Sequence, residues 1–139
     1  MTELALRRRP IPAVVVELVR FGLVGATNTA LTLATYAVLL GLDAPVALAG
    51  AVGWAVGAVN GYLLNRAWTF RGAALGAVPA ARYVAVQVMG SGLSAALVAI
   101  AVGHEHLPRL AGELVVLPPV TLLTFVLCRR WVFARAVPA

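Results

Sequence analysis

Three runs without a charged residue, Phe21 to Gly41, Ala44 to Asn65 and Tyr83 to Gly103, and a fourth with one acid, Leu110 to Cys128, take up most of this chain. At 1.5 Å of rise per helical residue the first run covers about 30 Å, the hydrocarbon thickness of a bilayer. In that medium no water is present to satisfy backbone amides and carbonyls, so each run must pair its own as a helix. The composition agrees: 62% hydrophobic residues and a mean hydropathy of +0.95 exceed the roughly half-apolar make-up of soluble domains. The expected fold is therefore all-α, a single integral membrane four-helix bundle over residues 1–139, with spans at 21–41, 44–65, 83–103 and 110–128.

The segments between the runs set the remaining expectations. Met1 to Pro12 reads as an arm whose Arg7, Arg8 and Arg9 anchor it, and Pro10, Pro12, Glu17 and Arg20 interrupt any signal-peptide pattern. Ala13 to Arg20 reads as a short interfacial helix, with Glu17 and Arg20 three positions apart on one face. Asp43 and Pro45 mark a tight outer turn, 66–82 a loop punctuated by Gly72, Gly76 and Pro79, and His104 to Arg109 a second outer loop. Pro118 and Pro119 are expected to kink or unwind the last span. With four spans, Arg7, Arg8, Arg9, Arg20, Arg66, Arg71, Arg82, Arg129, Arg130 and Arg135 fall on one side and Arg109 alone on the other. The positive-inside rule then puts both termini and the 66–82 loop in the cytoplasm, in the cell's inner membrane.

The chain also repeats itself. Asn65-Arg66-Ala67-Trp68-Thr69-Phe70-Arg71 closes the second run, and Cys128-Arg129-Arg130-Trp131-Val132-Phe133-Ala134 closes the fourth, 63 positions later; Arg20-Phe21 and Arg82-Tyr83 open the two halves 62 positions apart. A duplicated transmembrane hairpin leaves such a period.

Residues for chemistry are few. Gly53, Gly57 and Gly61 form overlapping GxxxG units suited to close helix packing, within the bundle or between subunits of a homo-oligomer. Asn28, Asn60, Asn65 and Gln87 need partners in or near the hydrocarbon, as interhelical bonds or as the lining of a polar cavity. Arg20, Arg66, Arg82, Arg129 and Arg130 stand at span boundaries, where guanidinium forks reach lipid phosphates. Trp68, Phe70, Tyr83, Trp131 and Phe133 fit an interfacial aromatic belt, while Trp54, inside a span, reads as packing. His104 and His106 flank Glu105 without a ligand set, so no metal and no cofactor is expected. No nucleophile elbow, phosphate loop or carboxylate pair points to an enzyme. The first span lacks the carboxylate that proton-coupled drug export requires, and no soluble domain is present to carry nucleic acid.

Two of these stretches resemble a known family. Arg20-Phe21-Gly22-Leu23-Val24-Gly25-Ala26-Thr27-Asn28 is similar to the R-F-x-x-V-G-x-x-N opening of the GtrA-like family of small four-span membrane proteins, and Leu64-Asn65-Arg66-Ala67-Trp68-Thr69-Phe70 to its L-N-R-x-W-x-F. The copy at Arg129-Arg130-Trp131-Val132-Phe133 departs in having Cys128 where an asparagine is common. The resemblance implies a role in cell-envelope polysaccharide synthesis, as a flippase for a polyprenyl-phosphate-linked sugar or as an accessory to a polyprenyl-phosphate glycosyltransferase. On that reading Arg20, Arg66, Arg129 and Arg130 take the lipid phosphate, Asn28, Asn65 and Gln87 meet the headgroup, and Trp68, Phe70, Trp131 and Phe133 pack the prenyl chain among membrane lipids.

Overall fold

The computed structural model describes residues 12–73, 76–103 and 108–134. Its helices are α1 (Ala13–Gly41), α2 (Val46–Leu64), α3 (Ala77–Gly103) and α4 (Arg109–Leu127), with no strand among the described residues. All four are long and apolar enough to cross a membrane. Pro12, Pro45 and Pro108 directly precede α1, α2 and α4, where a fixed φ and a missing N–H cost nothing at a helix start. The turn after α1 closes with Asp43 N–H donating to Leu40 C=O at 3.1 Å and Ala44 N–H to Leu39 C=O at 3.0 Å. Asp43 holds φ 59°, the left-handed position of this helix ending, which aspartate tolerates better than most side chains.

Element boundaries differ from the sequence reading in three places. Ala13 to Arg20 is not a separate interfacial helix but the first turns of a continuous 29-residue α1; nothing in those residues opposes helix. The loop expected over 66–82 is shorter, because α2 runs on through a π-helical turn, Asn65–Thr69, and α3 starts at Ala77. Pro79 falls in the first turn of α3, where no amide partner is lost. Pro118 and Pro119 do not unwind the last span: they lie inside an uninterrupted α4, both on its exposed side. Two missing donors remove only two rungs of the ladder.

Within the first hairpin the glycine row of α2 faces α1. A Cβ on Gly53 would stand 2.8 Å from Thr32 C=O, one on Gly57 would overlap Thr32 Oγ1, and one on Gly61 would overlap Asn28 Nδ2 and Tyr83 Oη. In the second hairpin the same level is filled in reverse, with Gly90 of α3 against the Thr124 methyl of α4. Asn28 and Gly90 are repeat-related, as are Gly61 and Thr124, so each hairpin sets one glycine against one polar side chain and exchanges the helices that carry them.

The hairpins are joined by a core at the arginine-bearing end, including Phe21, Phe70, Tyr83, Val86, Phe125, Cys128, Val132 and Phe133. Elsewhere the surface is apolar: only 6% of the most apolar stretch of α1 is buried within the protein, which suits hydrocarbon and not water. Trp54, expected to pack inside, is 40% exposed on that surface, since the neighbouring Gly53 and Gly57 are what turn toward α1.

Candidate functional site

Both copies of the repeated motif leave the α-helical ladder at the same step. Phe70 N–H donates to Asn65 C=O at 2.7 Å and Phe133 N–H to Cys128 C=O at 2.8 Å, the five-residue closure of π-turns spanning Asn65–Thr69 and Cys128–Val132. Such widened turns are rare and collect at functional sites. Their consequence is to swing the following phenylalanine inward.

Phe70 and Phe133 stack on each other, ring centroids 5.1 Å apart. Around them the repeat produces an approximate two-fold set: Phe21 lies 6.2 Å from Phe70 and Tyr83 6.0 Å from Phe133, while Phe21–Phe125 and Tyr83–Tyr62 are 5.6 and 5.7 Å. Phe70 is 5% exposed, Phe133 3% and Tyr83 1%. The expectation that these three belong to an interfacial belt is therefore corrected: they plug the bundle between the hairpins. Trp68 is half-buried and Trp131 exposed.

Each of those tryptophans is clamped by an arginine from the start of its own hairpin. Arg20 lies 5.5 Å over the Trp68 ring and donates Nη1 to Trp68 C=O at 3.2 Å; Arg82 does the same to Trp131, at 5.5 and 3.2 Å. A guanidinium in that pose gains a cation–π contact and satisfies a helix-end carbonyl together.

The other repeat-related pair, Arg66 and Arg129, is treated unequally. Arg129 donates Nε to Glu17 Oε2 at 2.7 Å, a bridge from the last π-turn to α1. The counterpart of Glu17 in the second half is Pro79, and Arg66 Nε is buried with no partner among the described residues. Asn65 Oδ1 and Thr69 Oγ1, on the same π-turn, are buried without partners too, although Asn65 Nδ2 donates a long bond, 3.4 Å, to Tyr83 Oη. Arg130 is exposed.

Asn28 accepts from Asn60 Nδ2 at 2.8 Å, which makes it an interhelical bond of the first hairpin. Gln87 is half-buried on α3 and joins none of these networks among the described residues. Two concavities mark the first half. One of about 240 Å³ is lined by Ala13, Val16, Glu17, Arg20, Thr69 and Arg71; the other, about 440 Å³ and nearly all apolar, by Leu31, Ala55, Val56, Val59, Asn60 and Leu63. Sequence reasoning passed over Thr69 and Arg71, because a threonine and a boundary arginine carry no signal until the π-turn places them. No group of three metal-ligating side chains occurs among the described residues; His104, Glu105 and His106 lie outside them.

Comparison with known proteins gives one match. The family model described as GtrA/DPMS, transmembrane domain, matches residues 20–133. No curated protein and no solved structure matches the chain.

Proposed function

The chain belongs to the GtrA/DPMS transmembrane-domain family, which points to glycosyl-lipid processes in a membrane, and on that premise we propose that it flips a polyprenyl-phosphate-linked sugar across the cytoplasmic membrane for cell-envelope polysaccharide synthesis. The ten-to-one distribution of arginines supports a cytoplasmic position for the arginine end. The observation that carries the proposal is the unequal state of Arg66 and Arg129. One guanidinium is neutralised by Glu17, whereas the other keeps a buried N–H with no partner among the described residues. Leaving such a donor unpaired costs about 1–3 kcal/mol, and a phosphate oxyanion removes that cost with a charge-assisted bond. Arg130, exposed on the second π-turn, adds positive field for a lipid phosphate, with Arg20 contributing charge from its clamped position while Arg129 is held by Glu17.

The stacked Phe70 and Phe133 close the bundle axis at this end. A headgroup therefore travels along the outside of the first hairpin, past the groove that holds Asn60, while its prenyl chain remains in lipid beside Trp68 and Trp131. Asn60 is the polar contact for the passing sugar on that path, with Asn28 acting through it, whereas Asn65 is buried and Gln87 lies on the second hairpin.

Reconstituted liposomes test this directly. The purified chain should accelerate sugar-lipid flipping, and correctly inserted Arg66→Ala should lose about tenfold or more in polyprenyl-phosphate binding and flipping. Parent-like behaviour of that variant would sink the assignment. The closed aromatic stack also favours a second reading, a membrane scaffold for a polyprenyl-phosphate glycosyltransferase; under it the lipid binds and the flipping rate does not change.

A further inference from the structure

We infer that the 240 Å³ cavity between the start of α1 and the first π-turn is the seat of the phosphate, with Thr69 and Arg71 as direct ligands and Glu17 as a built-in competitor for the same space. This inference rests on the lipid-phosphate reading above and assigns it residues that the family resemblance does not supply.

The cavity wall contains two arginines, Arg20 and Arg71, together with Thr69 and the carboxylate-bearing Glu17. Thr69 is 3% exposed, and its hydroxyl is buried without a partner among the described residues. A threonine in an apolar helix ordinarily turns its hydroxyl back to the carbonyl four residues earlier, as the exposed Thr27 and Thr29 do to Leu23 and Gly25 and the buried Thr124 does to Val120. For Thr69 that carbonyl belongs to Asn65, which the π closure directs to Phe70 N–H at 2.7 Å, and the Thr69 hydroxyl makes no bond to it. A residue of the cavity wall thus keeps a buried, unbonded hydroxyl, a donor for an oxyanion that reaches it.

The second half serves as an internal control. If these groups were only interface anchors, both copies would carry them, as both carry the clamps Arg20–Trp68 and Arg82–Trp131. At the repeat-related positions, however, Thr69 becomes Val132, Arg71 becomes Ala134 and Glu17 becomes Pro79. The polar set is present once, whereas the structural clamp is present twice. Glu17 fits the same picture. Its carboxylate borders the cavity while bonded to Arg129 Nε at 2.7 Å, so in the unliganded protein it balances charge that an incoming phosphate would otherwise meet unopposed. A phosphate oxyanion entering beside it is repelled at short range, and the ligand binds against that repulsion.

The ligand chemistry is a phosphate ester or free phosphate oxyanion, and the experiment separates the two sources. The full chain in phosphatidylcholine nanodiscs is titrated with a polyprenyl monophosphate, with phosphatidylglycerol and with inorganic phosphate, read by native mass spectrometry and by tryptophan fluorescence. Expected are selective binding of the polyprenyl monophosphate, a loss of about tenfold for Thr69→Val and for Arg71→Ala, and a gain of severalfold for Glu17→Gln. Thr69→Val should melt no lower than the parent, because it replaces an unpartnered hydroxyl with a methyl group of the same shape. A purely structural threonine would leave binding unchanged, so a folded Thr69→Val and Arg71→Ala that bind like the parent overturn the cavity assignment; a simultaneous loss in Arg66→Ala would leave the lipid-phosphate reading standing. Binding of inorganic phosphate without the lipid keeps the oxyanion site and overturns the lipid reading. No selective binding of any of the three overturns both.

Discussion

Arginine does two different jobs in this protein, and the difference is set by what each side chain meets. Arg20 and Arg82 are fixed by a ring face and a carbonyl, so their planar shape matters more than their charge. Arg82→Lys should therefore lower stability by about 0.5–1 kcal/mol, since a lysine keeps the charge but loses the flat stack over Trp131; thermal unfolding in detergent checks the loss, and polyprenyl-phosphate binding should not change. Arg66 is the contrasting case. Its buried N–H has no partner among the described residues, so Arg66→Ala should cost binding with little loss of stability, and a binding titration run beside a melting curve distinguishes the two. The sequence singled out both residues as boundary arginines but could not separate them, because the partner of one is a ring 48 positions away and the state of the other depends on an acid that is present in only one half.

At the level of elements, glycine placement decides which helix faces close. Gly53 has Thr32 C=O 2.8 Å from where a Cβ would stand, whereas Gly50 has open space. Backbone cannot yield as a flexible side chain does, so Gly53→Ala should destabilise the first hairpin by about 1–3 kcal/mol. Gly50→Ala should instead stabilise by up to about 1 kcal/mol through the loss of unfolded-state freedom; comparison of the two melting temperatures checks the opposite signs. The spacing of the row was legible in the sequence, and its partner was not, since GxxxG serves equally within a chain and between chains. The π-turns were wholly hidden. Their residues read as helix boundary and loop, and only the closure onto Asn65 and Cys128 reveals them.

For the whole molecule, the repeat becomes an approximate two-fold arrangement whose axis runs through the stacked Phe70 and Phe133. Truncating either ring removes contacts in both hairpins at once, so Phe133→Ala should cost about 3–5 kcal/mol and loosen the joint between halves, seen as a lower melting temperature and faster proteolysis at the arginine end. Orientation is a separate prediction. Cysteines at Arg71 and at Asp43 should react with a membrane-impermeant maleimide from the cytoplasmic and the outer side respectively, against a low background because native Cys128 is fully buried; the reverse pattern would place the proposed phosphate site in the wrong leaflet.

The sequence by itself determined the all-α class, the four spans and the two-hairpin repeat, because hydropathy over some 20 residues and the demand for internal backbone pairing leave a membrane segment almost no alternative. It also marked Arg66, Asn65 and the glycine row. What only the tertiary structure decided is which equivalent residues remain equivalent. Phe70 and Phe133 turned from belt to core, Arg20 from a free boundary charge to a clamp on Trp68, and Thr69 from a helix-end residue to a buried hydroxyl, unpartnered among the described residues, in the wall shared with Glu17, Arg20 and Arg71. Each outcome rests on contacts between residues tens of positions apart, or on a carbonyl redirected by one extra residue in a turn, and neither leaves a local pattern in the chain.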